Sequence, residues 1–104
     1  MIELKLLSSS QILELSVLSL LEKEDLYGYL ITQKVQEVID ISESTLYPVL
    51  RKLEKNDFVE TYNQEFQGRN RKYYSKTAKG IKRLKELTDE WTEFYTKFNE
   101  LIGE

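Results

Sequence analysis

Residues 44–62 read STLYPVLRKLEKNDFVETY, and within this stretch the hydrophobic period changes. Leu46, Leu50 and Leu53 fall at i, i+4 and i+7, which is one face of a helix. The opposite face carries Ser44, Tyr47, Pro48, Arg51 and Lys55, with Thr45 and Lys52 at its flank. Past Asn56-Asp57 the period becomes two. Phe58, Glu60 and Tyr62 point one way and Val59, Thr61 and Asn63 the other, as along a strand. Pro48 conflicts with a long regular helix, because proline is comfortable only in a first turn. Either the helix effectively starts near Ser44 or its first turn is distorted.

Downstream, Gln64 to Asn70, with Gly68, reads as the loop of a hairpin. Arg71-Lys72-Tyr73-Tyr74-Ser75 is its return strand, with one of the two tyrosines facing the core. Thr77 then suits the N-cap of a last helix that runs to the end of the sequence. Upstream, Tyr27, Leu30, Ile31, Val35 and Val38 have helical spacing, and Glu24-Asp25 supplies acids for the start of that helix. Before it, Ser8 and Gln11 fit a capping box, with Leu7 and Ile12 at the staple positions. That first helix extends to about Lys23. Ile12, Leu15, Leu18 and Leu21 trace its apolar face, and Leu13, Val17 and Leu20 widen it. The order is helix, helix, helix, hairpin, helix: a mostly α fold with a small β-hairpin. Three short helices followed by a hairpin is the plan of a winged helix-turn-helix, here with a C-terminal helix added. The expected division is 1–76 for the winged helix-turn-helix and 77–104 for the last helix.

Length and composition narrow the function. A chain of 104 residues, 40% hydrophobic and 32% charged, makes one folded domain with a modest core. Its apolar runs fall well short of the roughly 20 residues a membrane span needs. The opening Met-Ile-Glu-Leu-Lys lacks the pattern of a secretory signal, and the absence of cysteine suits a reducing compartment, so a cytoplasmic location is expected. Without His or Cys there is no zinc finger, His-based triad or thiol nucleophile, and the four glycines form no phosphate loop. No metal, cofactor or enzymatic activity is expected.

The net charge of −3 hides a strong asymmetry. Residues 69–85 carry eight basic groups and no acid, whereas 1–68 carry a net −6 and 86–104 a net −5. A polyanion responds to local potential, so the basic block points to DNA. Ser44 and Thr45 at the start of the third helix can reach phosphates or base edges without bulk. Arg51 and Lys52 add cations further along, and Gly68-Arg69-Asn70-Arg71-Lys72 puts cations on a wing tip. The expected DNA-binding set is Ser44, Thr45, Tyr47, Arg51, Lys52, Arg69, Arg71 and Lys72. A winged-helix protein-interaction module without DNA binding is the alternative that the acidic total leaves open.

In the last helix Leu84, Leu87, Trp91, Phe94, Phe98 and Leu101 are spaced 3, 4, 3, 4, 3, an a/d heptad seam flanked by Ile81, Thr88, Tyr95 and Ile102. Ile81 and Leu84 are expected to pack on their own domain. Some 25 residues of helix extend about 37 Å, further than a small three-helix domain covers. The distal aromatics would then form an exposed apolar patch unless a second copy buried them. Leu87, Trp91, Phe94, Phe98 and Leu101 are the expected dimer interface.

The segments Leu26-Tyr27-Gly28-Tyr29, Ser44 to Glu54 and Arg71 to Gly80 resemble those of PadR-type transcriptional regulators, over nearly the whole chain from about Ile12 to Leu101. The resemblance implies a winged-helix repressor that dimerises through its C-terminal helix, of a kind often released from DNA by a small aromatic ligand. The length is similar to that of the compact subfamily with one C-terminal helix, in which an aromatic at the point of Trp91 stacks on flat ligands. Trp91 therefore has two readings, ligand platform or interface core. The sequence departs from the family pattern twice: Asn56-Asp57-Phe58 lacks the glycine usual between third helix and wing, and Asn70 separates Arg69 from Arg71.

Overall fold

The computed structural model describes residues 7–103; the reading of the first five residues as no secretory signal falls outside them. Along the chain run α1 (Ser9–Lys23), β1 (Leu26–Tyr27), α2 (Gly28–Gln36), α3 (Glu43–Lys55), β2 (Val59–Phe66), β3 (Arg69–Lys76) and α4 (Ala78–Leu101). The N-caps of α1 and α4 are those the sequence predicts. Ser8 Oγ accepts from the Gln11 amide while the Ser8 amide donates to Gln11 Oε1, and Thr77 Oγ1 accepts from the Gly80 amide.

The sheet differs from the expected two-stranded hairpin. Leu26–Tyr27, read from sequence as part of the first turn of the second helix, form a third strand instead, giving the antiparallel order β1-β3-β2. Glu24 and Asp25 consequently lie before a strand, and α2 begins only at Gly28. It ends at Gln36, which leaves Val38, expected on its buried face, 85% exposed. The hairpin loop is also shorter than expected. Gln67 and Gly68 both adopt positive φ, as a two-residue type I′ turn requires, and pairing begins at once with Phe66 opposite Arg69.

The third helix tolerates its proline. α3 runs from Glu43 to Lys55 with Pro48 inside, at the sixth position, where the missing amide deprives only the Ser44 carbonyl of its helical donor. At the other end the chain closes in a Schellman pattern. The Phe58 amide donates to the Leu53 carbonyl at 2.9 Å and the Asp57 amide to the Glu54 carbonyl at 3.1 Å. Asp57 takes the left-handed conformation, φ +61°, which a glycine would adopt without penalty.

α1 is the central helix, with both α3 and α4 packed against it. Leu13, Val17, Leu18 and Leu21 of α1 meet Ile31 and Val35 of α2, and Leu46, Val49, Leu50 and Leu53 of α3. Leu26, Val59 and Tyr74 close the core from the sheet, so Tyr74 is the inward tyrosine of the pair. From α4 come Leu84 and Leu87, which carries the core past residue 76. Leu87, expected on the dimer seam, is 0% exposed within its own chain and cannot present itself to a second copy. Ile81, expected to pack inward, is 43% exposed. The seam and the core-facing side of α4 thus coincide through Leu87, in its third turn, and part company before Trp91.

Candidate nucleic-acid interface

α3 is amphipathic, and its buried leucines fix which residues face outward. Ser44, Pro48, Arg51 and Lys55, spaced 4, 3 and 4, form one exposed ridge. Ser44 and Thr45 stand at its start, with their hydroxyls hydrogen-bonded to the Ser42 hydroxyl at 2.9 and 3.0 Å. Ser42 was not among the expected site residues, although a hydroxyl residue just before a helix is itself a capping signal. Tyr47, one residue off the ridge, is half-buried and turns toward α2, where its ring approaches Gly28.

Tyr47 forms one wall of a cavity of about 290 Å³ where three elements meet. Gly28 and Tyr29 from the start of α2 line it, with Arg71 and Lys72 from β3 and the rings of Tyr27 and Tyr74. The cavity opens because β1 is so short: it pairs with Tyr73 and Tyr74 only, leaving β3 uncovered on that side at Arg71 and Lys72. Tyr27, the N-cap residue of α2, makes no side-chain cap hydrogen bond. The positive end of the helix dipole therefore adds to the two cations at this site.

The expected cations divide into free and engaged. Arg51 lies in the open on α3 and Arg69 at the exposed wing tip. Arg71 is half-buried, its guanidinium 4.4 Å from the centre of the Tyr27 ring and 5.9 Å from that of Phe66, and its Nε donates to the Phe66 carbonyl. Lys72 is paired with Glu54 of α3 at 3.1 Å, and Glu54 also accepts from the Thr61 hydroxyl at 3.0 Å. The Lys72 hydrogen bond, helped by that of Thr61, holds the Glu54 carboxyl below the usual range, and the same bond to Glu54 raises the Lys72 ammonium. Lys52 lies 3.8 Å from Glu14 of α1. Lys72, read from sequence as free for DNA, is thus hydrogen-bonded to a carboxylate that sequence distance conceals, and the exposed Lys52 stands near another.

The outer face of the sheet is aromatic. Tyr27, Tyr73 and Tyr62 sit side by side across the three strands, with Tyr62 stacked on Tyr73 at 5.5 Å and Tyr27 edge-on to Tyr73 at 5.6 Å. The Tyr62 hydroxyl donates to Asp25 at 2.7 Å, which pushes its ionisation up to about 12. These cross-strand pairs stiffen the wing from the side away from the core.

The distal half of α4 is the other exposed feature. Trp91 is 41% exposed and lies 6.1 Å from both Phe94 and Tyr95, while Phe94 stacks on Phe98 at 5.7 Å. Leu101, at the far end, is 80% exposed. Four expected interface residues, Trp91, Phe94, Phe98 and Leu101, therefore lie along a helix that has left its own domain.

Comparison with known proteins agrees with this architecture. The crystal structure of smu.1704 from Streptococcus mutans UA159 is 44% identical and superposes with a TM-score of 0.88, over 90% of this chain and 89% of that one. A PadR family transcription regulator from Clostridium difficile R20291 is 31% identical, with a TM-score of 0.80 over 88% of this chain and 98% of that one. The PadR of Bacillus subtilis, whose structure is a complex with operator DNA, is 28% identical with a TM-score of 0.64, over 72% of this chain and 45% of that one. The profile described as the transcriptional regulator PadR-like family matches residues 17–86, from the middle of α1 through the wing to the inward-facing turns of α4. The chain belongs to the PadR-like family of transcriptional regulators.

Proposed function

We propose that this protein is a sequence-specific DNA-binding repressor that acts in the cytoplasm as a homodimer and is released from its operator by a small planar aromatic ligand. The observation that carries the reading is the exposed ridge of α3, with Ser44, Thr45 and Arg51 free of the core. In this reading α3 lies in the major groove, where short hydroxyls and a guanidinium suit base edges. Arg69 at the wing tip and the cavity between Tyr47, Gly28 and Arg71 take flanking phosphates, the latter with help from the α2 dipole. The operator-bound relative from Bacillus subtilis supports the DNA partner.

Dimerisation rests on the apolar row Trp91, Phe94, Phe98 and Leu101, with Ile81 replacing the buried Leu87 at the near end. Trp91 and its mate at the dimer centre would offer a flat ligand two indole faces.

The reading is tested by the salt dependence of DNA binding. Each neutralised phosphate contributes a slope of about −0.9 in log K against log salt, so several contacts per dimer give a steep fall. A flat titration from low to moderate salt contradicts it.

A further inference from the structure

Glu14 is the one acid buried in the core among the described residues, 1% exposed on the inward side of α1. A lone carboxylate in that position is costly, and a paired one holds its partners firmly in place. Two cations reach it from two different helices. Arg83 of α4 donates from Nη2 to Oε2 at 3.0 Å, and Nζ of Lys52 of α3 stands 3.8 Å from Oε1. One carboxylate thus hydrogen-bonds the helix with the exposed aromatic row and attracts, at longer range, a cation of the helix with the exposed reading ridge.

The same two helices are joined at a second place. The carbonyl of Phe58, in the C-terminal cap of α3, lies against Gly80 of α4. Thr77 Oγ1 donates to the Asp57 carbonyl at 2.7 Å, and Lys79 and Arg83 lie over the Phe58 ring at 5.4 and 5.9 Å. The core leucines seat α3 on α1 but do not tie it to α4 directly. The two attachments, at Lys52 and beyond Lys55, supply that direct link at two points of α3.

We propose that Glu14 is a positioning residue, whose carboxylate transmits the orientation of α4 to α3 and so sets the angle at which each copy presents its reading helix to a half-site. The inference rests on the reading above, in which α3 meets DNA and α4 pairs two copies. It assigns Lys52 a role in aiming α3, besides any contact with phosphate.

The test uses operator duplexes selected by the full-length protein from a random-sequence pool, with one base pair then inserted or removed between the half-sites. Each change shifts one half-site by about 3.4 Å and roughly 34°. A rigidly aimed pair of helices loses about tenfold in affinity for such a change, the equivalent of a modest DNA distortion. Glu14→Gln, folded and dimeric by thermal unfolding and sedimentation, is expected to reduce that spacing penalty to within about threefold. Arg83→Met opens the same link from α4 and gives the same result if Glu14→Gln does not fold, and Arg83→Lys restores the penalty. A merely structural role lowers affinity equally at all spacings. That outcome, an unchanged penalty in folded variants, or a wild type indifferent to spacing overturns the proposal. A wild-type protein that selects no DNA overturns instead the reading on which it rests.

Discussion

The backbone carbonyl of Phe58 occupies the space where a β-carbon on Gly80 would stand. The first turn of α4 is therefore seated on the cap of α3 with no side chain between them, and the obstacle is backbone, which cannot rotate aside. Gly80→Ala must push the two helices apart. A loss of about 2–3 kcal/mol in denaturant unfolding is expected, in the range of overpacking substitutions. An alanine variant of wild-type stability would mean that the seat is looser than it looks.

Tyr62 gives the wing a spectroscopic signature. Its hydrogen bond to Asp25 favours the protonated phenol, so ionisation rises from the ordinary 10.0 to about 12. A raised value means that the bond contributes fully below pH 10 and that its contribution disappears as the pH climbs through about 12. Burial holds Tyr74 late as well. In an ultraviolet titration of the seven tyrosines, Asp25→Asn should therefore return one late group, and only one, toward the ordinary value. An unchanged titration curve contradicts the bond.

Truncation after Glu90 separates the two halves of α4. It removes Trp91, Phe94, Phe98 and Leu101 but keeps Leu84 and Leu87, which complete the core. The shortened protein is expected to fold as a monomer in sedimentation and to bind operator poorly, since two half-sites one helical turn apart need two tethered readers. A truncated dimer would place the interface elsewhere.

What the sequence made legible was local. The Ser8–Gln11 box, the Thr77 cap and the change of period after Asn56 are signals carried by neighbouring residues, and each lies where its chemistry puts it. β1 escaped because two residues cannot display a period; Leu26 and Tyr27 are a strand only because Tyr74 and Tyr73 arrive beside them from far along the chain. Lys52 and Lys72 looked free for the same reason, their partners Glu14 and Glu54 being distant in sequence. Leu87 continues a perfect heptad seam, yet α4 leaves the domain only beyond it, and the repeat cannot say where that happens. Glu14 did leave a trace: an acid three and four residues before Val17 and Leu18 falls on the apolar face of α1, where a charge needs a partner.

The central claim is that α3 reads sequence while the wing supplies affinity, and one ratio tests it: operator affinity divided by affinity for random DNA, at fixed salt. Thr45→Ala and Arg51→Ala are expected to lower that ratio, with a loss of about 1–3 kcal/mol confined to the operator for each base contact removed. Arg69→Ala is expected to weaken both affinities alike and leave the ratio unchanged. If all three variants shift operator and random DNA by the same factor, α3 does not read the sequence and the account is wrong.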